Sequence, residues 1–209
     1  MPRHIVPLEE LLALAIRHVN AGQPEPARLL CEHAAQHFPA HPAVLQLLAL
    51  LALQQGQALP ALRQAQASLA LRPDHLPTLQ LAGNAAQAAG ETAAAAALLE
   101  RLVELQPAHA DAWFQLALLR QDLHQLSGAA AALTEVLRLQ PARADAEVNL
   151  AIVLQEDGQI DAALRAYGRA YRLRADTFGR IAHALATPSS GRLYLRLEDL
   201  RAELLAMPA

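Results

Sequence analysis

Leu71-Arg72-Pro73-Asp74-His75, Leu105-Gln106-Pro107-Ala108-His109 and Leu139-Gln140-Pro141-Ala142-Arg143 are three near-copies of one turn. Their prolines stand 34 residues apart, and Pro39 lies another 34 residues before Pro73. A fixed period of this length is the mark of a repeat protein built from small supersecondary units. A second comb, Gly22, Gly56, Gly90 and Gly158, runs seventeen residues ahead of the proline position. His124 breaks that comb in the fourth repeat, and Ala175 stands where a fifth turn proline would be. Glycine ends one helix by taking a left-handed cap, and proline ends the other by forcing the residue before it out of the helical region. Each repeat therefore reads as two helices, A then B. Helix A segments are expected at 8–21, 42–55, 76–89, 110–123 and 144–157, and helix B segments at 25–37, 58–71, 92–105, 126–139 and 160–173.

Composition agrees with an all-helical chain. Of the 209 residues, 54% are hydrophobic but only 3% are aromatic, and no run of β-branched residues alternates at period two. A helix pair of this length cannot bury its own apolar face, so each hairpin must stack on the next. Small residues such as Ala82, Gly83, Ala95, Ala117 and Ala163 are expected where helix backbones approach, with Leu and Trp113 filling the space beside them.

The residues inside each period also follow a pattern. The fourth repeat carries Trp113, Leu116, Ala117, Ala129, Leu133, Val136 and Pro141, and the fifth carries Leu150, Ala151, Leu154, Ala163, Tyr167 and Ala170. In this the chain resembles the tetratricopeptide repeat family over about residues 8 to 177. The resemblance implies an all-α, right-handed α-solenoid of about five helical hairpins plus C-terminal capping helices. Residues 1–177 then form the five repeats and 178–209 the cap. Glu147 at the position of Trp113, and Arg120 at a usually apolar position, depart from the pattern and predict looser packing in repeats four and five.

Beyond Thr177, Phe178 to Ala186 continues the phase as a sixth helix A through Ile181 and Leu185. Thr187 to Gly191 reads as a break and 193–195 as briefly extended. Glu198 to Ala206 reads as an amphipathic cap with Leu197, Leu200, Leu204 and Leu205 on one face.

Charge narrows the partners. The formal net charge is −3, and all 17 basic residues other than histidine are Arg. That balance offers no electrostatic footprint for nucleic acid or an anionic membrane. The most apolar stretch, Ala43 to Leu53, is too short to cross a bilayer. With no signal-peptide pattern at the start and Cys31 as the sole cysteine, a bacterial, cytoplasmic protein is expected.

No residues converge on chemistry. His41, His75 and His109 share one repeat position, which explains them as a duplicated turn residue, since repeats lie far beyond metal-ligand distance from one another. His33 and His37, one helical turn apart, have no third ligand with suitable spacing. Neither a phosphate-binding glycine loop nor a supported nucleophile triad appears. No cofactor and no metal are expected, and the chain reads as non-enzymatic.

The resemblance places function on the concave face lined by the A helices. By register this face holds Leu12, Ile16, Gln46, Leu50, Gln80, Asn84, Gln87, Asp111, Phe114, Leu118, Gln121, Asp145, Ile152 and Gln155. Carboxamides offer both a donor and an acceptor to a peptide backbone, and the apolar members offer sockets. Trp113 is expected to point into the interior, with Phe114, rotated by about 100°, on the open face. Asp111, Asp122, Asp145 and Glu156 make one end acidic, which suits an Arg- or Lys-containing peptide or the chain's own Arg-rich C-terminal segment. Relatives that clamp chaperone C-termini use Lys and Asn where this chain has Leu12 and Ile16, so that activity is not expected. The expected function is a protein-interaction scaffold that holds a peptide or helix of a partner protein. The alternative is a substrate-recruiting or oligomerising region of a larger bacterial, transferase-like enzyme. Self-association is a further expectation, because Leu47, Leu48, Leu50, Leu51 and Leu53 crowd both faces of one helix.

Overall fold

A computed structural model describes residues 7–186 and 197–207. Ten helices alternate as A and B: α1 (Leu8–Asn20), α2 (Pro24–His37), α3 (Pro42–Gln54), α4 (Ala58–Leu71), α5 (Leu76–Ala88), α6 (Thr92–Leu105), α7 (Ala110–Asp122), α8 (Leu126–Leu139), α9 (Ala144–Glu156) and α10 (Ile160–Leu173). Each lies within one residue of its expected bounds. A short 3-10 turn, Ala175–Thr177, leads to α11 (Phe178–Ala186), and α12 (Leu197–Ala206) follows. No strand occurs among the described residues. The expected break after Thr187 and the extended stretch at 193–195 lie outside them.

The punctuation works as the sequence implies. Gly22, Gly56, Gly90 and Gly158 end their helices at φ between 68° and 78°. His124 takes the same left-handed conformation at φ 55° without being a glycine. Its amide donates to Gln121 O and the next amide, of Gln125, to Arg120 O, the same bond pair that Gly90 and Glu91 make to Gln87 and Ala86. An L side chain in this region carries strain of about 1–2 kcal/mol, partly offset by the chain freedom a glycine would lose. His124→Gly should therefore raise stability by about 0.5–1 kcal/mol in urea denaturation. At the other turns, Phe38 before Pro39 (φ −133°, ψ 60°) and Gln140 before Pro141 (φ −135°, ψ 76°) leave the helix. Arg174 does so without a proline at 175. There the Thr177 hydroxyl and amide both donate to Arg174 O, at 2.6 and 3.1 Å.

The contacts divide into two compact units, Met1–Gln106 and Pro107–Ala209. In the first, hairpins α1–α2, α3–α4 and α5–α6 stack through α2 on α3 and α4 on α5, with α3 also touching α1 and α5. Its core is small-residue rich: Ala15, Ala27, Cys31 and Leu51 in one cluster, Ala49, Ala65, Leu81 and Ala82 in another. Leu47 and Leu48 lean on the first cluster and Leu50 and Leu53 on the second. The leucines of α3 thus have packing partners within their own unit on both sides, and Leu47, Leu48, Leu50 and Leu53 stay half-buried.

Gly83 shows why a small residue is needed on helix A. A Cβ there would sit 3.1 Å from Leu99 Cδ2 and 3.3 Å from Leu99 Cγ. Gly83→Leu should overpack the α5–α6 contact and cost about 1–3 kcal/mol in a thermal or urea melt. A neutral result would mean that Leu99 has room to move aside.

The second unit stacks α7–α8 on α9–α10, with α11 against α9 and α12 against α10. Ala117, Ala129, Leu133 and Val136 centre one cluster, and Leu164, Tyr167, Ile181, Leu200 and Leu204 another. The two departures from the repeat pattern are matched inside their own hairpins. Glu147 is buried at 5% exposure, and both its carboxylate oxygens accept from Arg169 on α10, at 2.8 and 3.0 Å. Arg120 lays its stem over Gly128, where a Cβ would lie 3.2 Å from Arg120 Cδ, and donates to Gly128 O at 3.2 Å. In α12 only Leu200 and Leu204 are buried, while Leu197 and Leu205 are 57% and 59% exposed. Leu205 is turned about 100° from Leu204, so the four leucines do not share one face.

Candidate functional site

Helix α5 is the element whose unused surface is best defined. Thr78, Leu79, Leu81, Ala82, Gly83, Ala85 and Ala86 are all buried. Pro77, Gln80, Asn84 and Gln87, at spacings of three, four and three, are not, and with Leu76 and Ala88 at its ends they form one unburied stripe along the helix. Gln80 Nε2 donates to Asn84 Oδ1 at 3.0 Å, linking two carboxamides along the stripe. One period earlier, Gln46 and Leu50 on α3 are half-buried, and one period before that Leu12 is half-buried and Ile16 is 46% exposed. Leu12 and Leu50 also lean on core clusters, so each divides its surface between packing and the open side. Neither α3 nor α5 carries a charged residue along its length. The open face of the first unit is therefore a neutral surface of carboxamides and aliphatic groups around α3 and α5.

The second unit differs in charge. Asp111 is exposed, and Phe114, Leu118, Gln121, Asp145 and Ile152 are half-buried. Arg143, at the start of α9, gathers several of them. Its Nη1 donates to Asp111 Oδ1 at 2.7 Å and its Nε to Asp145 Oδ1 at 3.2 Å, while the guanidinium lies 4.3 Å from the Phe114 ring centroid. Arg143 thus offsets two of the acids expected to make this end negative and covers the ring expected to stand bare. It occupies the repeat position of His41, His75 and His109, so the break in that series was the available signal. Gln121 Nε2 donates to Glu156 Oε1 at 2.9 Å. Trp113 is half-buried rather than enclosed, and its indole N–H donates to Pro107 O at 3.0 Å.

Gln155 needs correcting as a contact residue. It is only 3% exposed, accepts from the Tyr167 hydroxyl at 2.9 Å and donates to Ala184 O of α11 at 3.1 Å. A partner cannot reach a carboxamide held inside by α10 and α11. The equivalent Gln87 is exposed, and Gln121 is half-buried with its amide turned to Glu156 of α9.

The helix N-termini show how the recurring histidines are used. His109 Nδ1 accepts from Ala112 N at 3.1 Å, capping α7, and His75 Nδ1 lies 2.8 Å from Thr78 Oγ1. His41 Nδ1 is buried without a hydrogen-bond partner. Burial, then the charge of Arg72, lowers the pKa of His75. His33 and His37 meet edge to face, ring centroids 5.1 Å apart. No group of three metal-ligating side chains occurs among the described residues. Cys31 is buried, and its thiol is pushed up to about 11, chiefly by burial and then by Glu32, which keeps it in the unreactive form near neutrality. No described helix is long and apolar enough to cross a membrane.

The fold has solved counterparts. A crystal structure of MamA protein superposes with a TM-score of 0.74 at 17% identity, covering 81% of this chain and 93% of that one. MamA from strain AMB-1 gives 0.74 at 20% identity, over 87% and 97% of the two chains. A MamA structure from Desulfovibrio magneticus RS-1 gives 0.72 at 21% identity, over 81% and 96%. At these identities the likeness is one of fold, an α-solenoid of stacked helical hairpins. No family model matches the chain. No curated protein matches its sequence.

Proposed function

We propose that this chain is a tetratricopeptide-type interaction scaffold that holds a peptide or helix of a partner protein along the open faces of its A helices. The observation that carries the reading is the stripe on α5. Seven residues of that helix are buried, yet Gln80, Asn84 and Gln87 set three carboxamides in line on its unburied side. Such groups satisfy main-chain donors and acceptors, and Leu12, Ile16, Gln46 and Leu50 carry the same surface onto α1 and α3. Asp111, Phe114, Leu118, Gln121, Asp145 and Ile152 form the corresponding face of the second unit. The fold shared with MamA suits such a role but supplies no partner. Catalysis has no place in this reading, and neither does a cofactor.

The test is a pair of substitutions on the stripe. Asn84→Arg and Gln87→Arg point outward from α5, so far-ultraviolet circular dichroism and the melting temperature should stay near wild type. Wild-type and variant chains would be used as bait in extract of the native cell, with recovered proteins quantified by mass spectrometry. A protein retained by the wild type should drop at least tenfold, about 1.4 kcal/mol of lost binding, with the double variant. Equal recovery by both baits would move the binding surface elsewhere.

A further inference from the structure

One position of the repeat, the N-cap of helix A, carries an imidazole in repeats two to four and a fixed cation in repeat five. Its occupants are His41, His75, His109 and Arg143. A helix N-terminus is the positive end of the helix dipole, so a cation placed there needs carboxylates to offset it. Arg143 has two: Asp145, two residues on in its own helix, and Asp111, at the same position one repeat earlier. The corresponding pair for His75 is Pro77 and Ala43, and neither can answer a charge. A protonated His75 therefore lacks the partners that its counterpart in repeat five has.

The ring at this position is used in its neutral form. His109 Nδ1 accepts from the backbone amide of Ala112 at 3.1 Å, a bond that a protonated nitrogen cannot accept. In the same register, His75 Nδ1 lies 2.8 Å from Oγ1 of Thr78, a wholly buried side chain. Protonation turns Nδ1 into a donor, and the proton of that buried hydroxyl loses its acceptor. Among the charges around α5, the one that acts on the ring is Arg72, just past α4, and it opposes a further positive charge. Asp74 is taken up by Arg101 of α6, at 2.8 and 3.2 Å, and Arg101 also holds Glu104. The other charged residues on the helices packed against α5 are Glu100 on α6 and Arg63 on α4, while α3 and α5 carry none. We infer that His75 is an acid-sensitive latch on the first unit: a neutral ring sets the start of α5, and protonation of that ring loosens it. The inference concerns how the first unit holds α5 and stands whether or not the stripe binds a partner. Burial, then Arg72, lowers the pKa of His75 in the folded chain. The unfolded chain, where a histidine titrates near about 6.5, thus takes up the proton more readily. The stability contributed by the ring is whole above the unfolded pKa and is lost as pH falls through the folded one.

Two full-length variants and the wild type test it. His75→Gln keeps a neutral side chain with hydrogen-bonding atoms and has no proton to take up. In urea denaturation from about pH 7.5 to 5, the wild type should lose stability relative to His75→Gln as the pH falls. A difference that stays level with pH overturns the latch, since the other histidines are common to both chains. Ala43→Asp with Pro77→Asp installs the two carboxylates that Arg143 has in repeat five. Proton NMR titration of that variant should show the His75 ring titrating at a higher pH than in the wild type, with the acid loss of stability reduced. No upward shift overturns the proposal. The wild type supplies a measurement independent of how the variants fold. Its His75 ring should titrate at a lower pH in the folded chain than in the same chain unfolded in urea, and a folded value equal to or above the unfolded one overturns the inference.

Discussion

Arg169→Ala should destabilise the second unit by about 3 kcal/mol, the low end of the about 3–5 kcal/mol typical when one partner of a buried ion pair is removed. The carboxylate of Glu147 has a side chain only 7% exposed, and Arg169, at 33%, is the group that answers both its oxygens. Removing the guanidinium leaves a buried charge with no counterion, while the cavity opened toward solvent admits some water and holds the loss to the lower end. Replacing both residues, Glu147→Leu with Arg169→Met, should restore stability to within about 1 kcal/mol of wild type or exceed it, because no charge is then desolvated. Repeat arrays unfold through nearest-neighbour contacts, so the loss should appear first in the second unit. Trp113, the only tryptophan, lies there and reports it by fluorescence during urea denaturation. If Arg169→Ala were as stable as wild type, the Glu147 position would be wetter than its burial implies.

Tyr167→Ala should cost about 3–5 kcal/mol, the range for deleting a large aromatic side chain from a packed interior. Tyr167 is wholly buried, and burial, with the charge of Glu156 second, raises its hydroxyl pKa so that the ring stays neutral. Its hydroxyl donates to Gln155, which in turn donates to Ala184 O, so the residue ties α10 to α9 and, through Gln155, to α11. Tyr167→Phe keeps the ring but removes the hydrogen bond from the hydroxyl to the buried Gln155 oxygen, for about 1–3 kcal/mol. Adding Gln155→Leu to Tyr167→Phe should recover part of that loss, since the buried acceptor is removed along with its donor. A double variant no better than Tyr167→Phe alone would show that Gln155 had found another donor.

The punctuation of the chain was open to reading because it acts locally. A glycine at φ near 70° or a proline after the last helical residue sets a helix end through its own backbone, whatever surrounds it. Even the exceptions kept the rule. His124 takes the glycine conformation, and Thr177 holds the turn that Ala175 does not enforce. The site was read less completely. Register assigned Gln155 to the same face as Gln87 and Gln121, but the face of α9 is covered by α11, and register does not know what covers a residue. The role of Arg143 is not legible from register, because it lies in three residues on two helices that the side chain brings together.

A 34-residue period of Pro and Gly, with Ala and Leu between, was enough to settle helix number, helix bounds, the hairpin repeat and the small residues at helix crossings. These follow from steric limits on the backbone and from the need to bury one stripe of each helix. Three things waited for the packed molecule: which polar side chains pair, which leucines of α12 are covered, and which members of one register face solvent. Glu147 with Arg169, Arg120 over Gly128, and Leu204 O beside Gly168, where a Cβ would lie 2.8 Å from it, are each decided by distances between different helices. An ion pair or a close crossing gains its energy only when two elements meet at one separation and angle. One-dimensional spacing fixes neither.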